Sequence, residues 1–169
     1  GIGPVLRPAN RKAVRRCMER CDVVTLRDED SLEELKALGV TRTDIHVTAD
    51  PAFTLCAADN GRAVLTELGV DPERKVLGVS VRQVPEQVDV EQFALLCDRI
   101  SRERDMAVVF LVMQDQRDEA ISRQIMDQMA EPAWLLKTPA DPGAMLGAIE
   151  CMEAIVSMRL HTIIFAARQ

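Results

Sequence analysis

A parallel α/β sheet with helices on both faces is the fold that these 169 residues predict. Three observations predict it. Short apolar runs alternate with segments whose apolar side chains recur at helical spacing, and the connections between them are short. The last apolar run delivers Arg159 and His161 where a strand passes into a helix. Parallel neighbours require a crossover, and an amphipathic helix that packs back on the sheet supplies it.

The opening segment, Gly1-Ile2-Gly3-Pro4, is turn-like. Val14, Cys17, Met18 and Cys21 then follow a helical period, and Val23-Val24-Thr25-Leu26 reads as a short buried strand. Residues 28–39 form a strand-to-helix unit. Ser31 and Glu34 have capping-box spacing, Leu32, Leu35 and Leu38 make an apolar face, and Gly39 suits a left-handed helix end. The design recurs over 60–70, where Leu68-Gly69-Val70 echoes Leu38-Gly39-Val40 without amounting to a sequence repeat.

Asp71-Pro72-Glu73-Arg74 is a polar, turn-favouring break, and the expected domain boundary lies there, dividing the chain into 1–74 and 75–169. A regular alternation follows. Strand 76–81 leads to helix 90–102, which presents Val90, Phe93, Ala94, Cys97 and Ile100; strand 107–113 leads to helix 119–129, which presents Ile121, Ile125 and Met129. Ala133-Trp134-Leu135-Leu136 is a shorter strand. Asp141-Pro142 reads as an N-cap with proline in the first helical turn, and that helix leads to Ala154-Ile155-Val156-Ser157, read as a buried strand, and then to a helix over 162–169. The second region is therefore Rossmann-like, but no Gly-x-Gly-x-x-Gly follows its first strand, which speaks against a dinucleotide fingerprint.

Composition sets the outer bounds. Apolar residues make up 47% of the chain and charged ones 28%, an ordinary globular balance with enough length for one good core or parts of two. The net charge of −6 reads as spread along the chain without a basic stripe, which argues against nucleic acid or an anionic membrane as the principal partner. A small anion in a local basic pocket stays compatible. No apolar run reaches bilayer-spanning length and no signal peptide opens the sequence, so the expected location is the cytoplasm. The start without methionine and the stop at Gln169 within a helical pattern read as an excerpt of a longer protein. Five scattered cysteines fit neither a disulfide framework nor a zinc site, and Cys17 and Cys21 read as core-facing thiols on one helix face.

Chemistry is expected at the strand ends. In a parallel sheet the carboxyl ends share one edge, and just beyond them lie Arg82, then Gln114 and Asp115, then Arg159 and His161. Two guanidinium groups, an amide, an imidazole and the N-terminus of the last helix suit a carboxylate or a phosphate. A single strand-end arginine is more often a surface ion pair, but His161 adds a group that can exchange a proton with a bound ligand. His46 reads as structural. Gly1 and Gly3 offer backbone N–H groups to an anion or else form a tight turn. Asp28, Asp50 and Asp118 read either as substrate contacts or as caps and turn-formers. No metal-ligand cluster is visible, so metal-independent chemistry is expected.

In chain order, Gly1-Ile2-Gly3-Pro4-Val5, Arg27-Asp28 with Ser31, Leu38-Gly39-Val40, Ala49-Asp50-Pro51-Ala52-Phe53, Val79-Ser80-Val81-Arg82 and Met158-Arg159-Leu160-His161 resemble the polysaccharide pyruvyl transferase family, CsaB type. The match covers nearly the whole chain, and the Arg-Leu-His segment running into Ile164-Phe165-Ala166-Ala167 is its most specific part. The resemblance implies a two-lobed, GT-B-like fold, with 1–74 as the end of the first lobe and its crossing, and 75–169 as most of the second. It implies phosphoenolpyruvate as donor substrate, no cofactor, and a cell-wall or exopolysaccharide sugar, free or lipid-linked, as acceptor. The product is a pyruvyl ketal. As a hypothesis on this resemblance, Arg82 and Arg159 bind the donor and His161 is the general acid; the residues themselves, apart from the family, leave Gly1, Gly3, Gln114 and Asp118 as further candidate substrate contacts. The expected place of work is the cytoplasm, the inner face of the membrane included. The aromatic residue that the family places soon after the first arginine is not supplied by Gln83-Val84-Pro85.

Two rival readings accompany this one. The first is a nucleotide-sugar glycosyltransferase of the same architecture, its arginines holding a diphosphate. The second is a non-catalytic Rossmann-like binding or assembly module, in which Arg82 and His161 lie apart or are committed to internal ion pairs. Fold alone does not separate them.

Overall fold

The computed structural model describes residues 1–84, 88–139 and 141–168. Pro85 and Gln169, which enter the sequence expectations above, lie outside that set. The chain forms two compact units, Gly1–Thr54 and Leu55–Gln169. The division therefore falls earlier than the turn at Asp71–Arg74. The reason is a helix contact: α3 (Gly61–Glu67) packs along α6 (Pro142–Glu150) of the second unit. A Cβ on Gly61 would lie 1.9 Å from the carbonyl oxygen of Gly147, and one on Gly147 would lie 2.3 Å from that of Ala58. Only glycine at both positions lets these backbones touch.

The first unit contains α1 (Pro8–Met18), β1 (Val24–Leu26), α2 (Glu29–Ala37), β2 (Ile45–Val47) and a 3-10 turn over Pro51–Thr54. β1 and β2 pair in parallel, Val24 opposite Ile45 and Leu26 opposite Val47. Val24, Leu26, Leu35, Leu38 and Val40 form the core, with Val14, Met18 and Cys21 packed against it. Cys17, expected to face inward, is exposed. The capping box is also absent. Asp28 is the N-cap of α2 and accepts from the Ser31 amide. Ser31 Oγ and Glu34 Oε1 instead accept from the amides of Ile2 and Val5, so both side chains fasten the opening loop.

The second unit is a parallel sheet in the order β5-β4-β3-β6. Its strands are β3 (Lys75–Ser80), β4 (Met106–Leu111), β5 (Ala133–Leu136) and β6 (Ala154–Ser157); α4 (Val90–Arg104), α5 (Asp115–Met126) and α6 make the crossovers, and α7 (Leu160–Arg168) follows β6. Val76, Ala107, Val109 and Leu111 point into a core with Leu65, Met145 and Ile149. Leu77, Val79, Val108 and Phe110 point into another with Ala94, Cys97, Ile121 and Ile125. β3 and β4 are thus covered on both faces, which is why they read as continuous apolar runs. Burial pushes the Cys97 thiol up to about 11. Asp98, also buried, accepts from the amides of Ala130 and Glu131 and closes the turn before β5.

β6 is not the buried strand that its sequence suggests. It pairs with β3 alone among the described strands, and its residues are half-buried or exposed. No helix among the described residues is long and apolar enough to cross a membrane.

Candidate functional site

The chain of the second unit adds β4 and β5 on one side of β3, then returns to lay β6 on the other. That reversal is a topological switch point, where the loops after two neighbouring strands diverge and leave a crevice. Ser80, the last residue of β3, is the register partner of Ser157, the last of β6. The ladder runs one step further, from the Met158 amide to Ser80 O at 2.8 Å. Arg82 and Arg159 each lie two residues past a paired serine. With neighbouring strands about 4.8 Å apart, their backbones leave the sheet side by side.

Arg159 is held tightly. Its Nη2 donates to Asp118 Oδ1 and, at 3.1 Å, to Gln114 Oε1. Asp118 is fully buried, and its other oxygen accepts from the Gln114 amide at 2.8 Å. Ser157 Oγ accepts from the Arg159 amide and donates to the Arg159 carbonyl, both at 2.9 Å. The Nε of Arg159 is buried with no hydrogen-bond partner among the described residues. A buried carboxylate costs several kcal/mol unless it is paired and hydrogen-bonded, so Asp118 and Arg159 constrain one another. Asp118 therefore lies behind the arginine, out of solvent, and what it contacts is the guanidinium.

His161 stands on the first turn of α7, because that helix begins at Leu160 rather than at Thr162. Its side chain is exposed, and its ring centroid lies 6.3 Å from that of Phe165. The turn is anchored from beneath: Thr162 Oγ1 donates to Ser80 Oγ at 3.2 Å, and both residues are fully buried. Arg82 is exposed and makes no ion pair with a described residue. The ends of β3 and β6 and the first turn of α7 thus carry two guanidinium groups, an imidazole and a helix N-terminus, with the buried Asp118 paired to Arg159. Such a set can hold an anion and deliver a proton.

The sequence model of the family described as polysaccharide pyruvyl transferase matches residues 1–169. The chain belongs to the polysaccharide pyruvyl transferase family. No curated protein sequence matches it. Among solved structures, it is similar to a glycosyl transferase family 9 protein from Veillonella parvula, with a TM-score of 0.53 and 17% identity over 81% of this chain and 38% of that one. It is also similar to Anabaena HepE, solved in complex with UDP and glucose, with a TM-score of 0.49 and 12% identity over 87% of this chain and 40% of that one. The chain thus spans about two fifths of either neighbour. The first likeness identifies a GT-B-like fold and, at that identity, the fold alone.

In this pyruvyl transferase family member the first unit also ends its strands in charge. Arg27 follows β1 and pairs with Asp50 at 2.9 Å and with Asp28 at 3.4 Å. The Asp50 hydrogen bond raises the pKa of Arg27, and hydrogen bonds from Ser31 lower that of Asp28. A depression of about 420 Å³ is lined there by Gly1, Ile2, Thr25, Arg27, Ser31 and Pro51. A Cβ on Gly1 would lie 3.1 Å from an Asp28 oxygen, and Gly3 has φ of 101°. The two glycines thus pack beside carboxylates, those of Asp28 and Glu34. Ser80, Ser157 and Thr162 have site roles that sequence reasoning did not assign. Their signal was a hydroxyl at each end of the β6-to-α7 junction and at the close of β3.

Proposed function

We propose that the full-length protein transfers the pyruvyl group of phosphoenolpyruvate to a cell-wall or exopolysaccharide sugar, forming a ketal. The observation that carries this reading is the Arg159 guanidinium, fixed by buried Asp118 at the β3/β6 switch point beside Arg82 and the first turn of α7. Family membership gives it context.

On this reading the donor's carboxylate and phosphate lie against Arg82 and Arg159. Asp118 engages Nη2 of Arg159 and fixes the guanidinium plane, so a planar fork with a permanent charge meets the donor in one orientation. His161 gives its proton to the methylene carbon of the donor, and the enol carbon becomes electrophilic. One sugar hydroxyl attacks that carbon, and its proton returns to the imidazole. The bond to the phosphate oxygen then breaks, a second hydroxyl of the same sugar attacks the same carbon, and its proton leaves with phosphate. Work at the inner membrane face, on a free or lipid-linked acceptor, belongs to the same proposal.

Calorimetry on the full-length protein tests it, with phosphoenolpyruvate titrated against a UDP-sugar and inorganic phosphate. Phosphoenolpyruvate binding that Arg159→Ala removes is the expected result. Binding of the UDP-sugar alone would transfer the site to glycosyl transfer.

A further inference from the structure

The even spread of charge expected from the sequence does not hold over α1 and its flanks. Residues 7–20 carry six cations and one carboxylate, a net of +5 in a chain whose total is −6. They lie on and around α1. None of the six forms an ion pair with a described residue, whereas ten of the fifteen cations elsewhere do. Arg11 is spent on the carbonyls of Val5 and Ala37. Arg7, Lys12, Arg15, Arg16 and Arg20 are all exposed.

Helical geometry explains the concentration. Val14, Met18 and Cys21 turn toward the first unit's core. Lys12, Arg16 and Arg20, four residues apart, fall in one row on the opposite side, separated by the small side chains of Ala9, Ala13 and Cys17. The result is a shallow, cation-edged strip along the outside of the helix.

We propose that this face of α1 docks on an anionic lipid bilayer. Charge complementarity is the argument: five exposed cations with no described ion pair, three of them in one row, stand on and beside α1 of an otherwise acidic chain and are attracted to a surface of negative headgroups, and clusters of about four to eight Lys/Arg on an amphipathic helix mark such binding. The strip lacks the aromatic or bulky apolar anchors of a protein-binding hot spot, and it has no aromatic side chain on which a nucleic-acid base could stack. A bilayer needs neither, because lipid headgroups adjust laterally to the spacing of the cations. The inference does not depend on pyruvyl transfer.

Co-sedimentation of the full-length protein with vesicles tests it. Phosphatidylcholine vesicles are compared with phosphatidylcholine mixed with phosphatidylglycerol, at low and physiological salt, for the wild type and for Lys12→Gln/Arg16→Gln/Arg20→Gln. These positions are exposed and unpaired, so circular dichroism of the triple variant should match the wild type. The expected result is binding to the anionic vesicles alone, weakening as salt screens it, with partitioning about a hundredfold lower in the variant. Three outcomes would overturn the proposal: no binding to anionic vesicles, equal binding by the variant, or capture by a duplex oligonucleotide in preference to the vesicles.

Discussion

The two units end their parallel strands in arginine and differ in what surrounds it. In the first, Arg27 stands between two carboxylates, Asp28 and Asp50. In the second, Arg159 pairs with Asp118, which is buried and accepts a backbone amide as well, while Arg82 is exposed with no ion pair to a described residue and His161 is exposed on the first turn of α7. Both are ends of parallel strands, and the partners of the arginines differ. An arginine held between two carboxylates is a poor seat for an anion, and an edge where one arginine pairs with a single described carboxylate and a second has no described ion pair is a better one. Residue types at strand ends therefore say little until their partners are counted.

The largest effect expected from this contrast is at His161. His161→Ala should lower kcat of the full-length enzyme about a thousandfold while the donor KM stays within a few-fold, as steady-state kinetics with phosphoenolpyruvate would show. Unchanged turnover would remove the acid from the second edge and leave a binding site only. Asp118→Asn comes next. It keeps the shape and removes the charge that orients Arg159, so the donor KM should rise about tenfold with the acceptor KM unaltered. Tighter donor binding would instead show that Asp118 acts as a repelling charge and that orientation is not its role.

The smallest effect concerns acid. Hydrogen bonds from Thr41 lower the pKa of Glu19, those from Ser31 lower Asp28, and Arg42 brings Asp44 down to about 2. A carboxylate whose folded pKa is depressed stabilises fully above its unfolded value and loses that contribution as pH falls through the folded one. For these three, with ordinary values of 3.8 to 4.5, the window runs from about pH 4.5 down toward pH 2. All three lie in the first unit; Glu119 is the described carboxylate of the second that is similarly depressed. Amide exchange followed down that range should release the first unit's backbone before β3 and β4. Simultaneous release would show that the exposed clamps contribute nothing measurable.

The sequence was most legible where one force decides. β5 and β6 occupy the residues expected of them, Ala133–Leu136 and Ala154–Ser157, because apolar runs between polar breaks have few alternatives. β2 was missed, since Ile45-His46-Val47 offers only two apolar residues and depends on β1 for its meaning. α5 was expected from Glu119 and starts at Asp115, so Asp118 moves from a loop into a first helical turn facing Arg159, forty-one residues away in sequence. Pairings across such separations leave no local trace. The positive face of α1 was diluted for a different reason: a whole-chain sum hides a cluster that only the helical repeat brings onto one side.

The glycine contact between α3 and α6 has a practical side. Gly61 and Gly147 pack α3 against α6 so closely that the segment after Thr54 belongs to the second unit. Any attempt to express the second unit on its own must therefore begin upstream of α3. A cut at Lys75, where the sequence shows its most conspicuous turn, would strip Leu65 and Val70 from the interior and bare Met145 and Ile149 to water. The seam of this molecule is set by where two backbones meet, and the turn-rich stretch between them is merely a bend inside one piece.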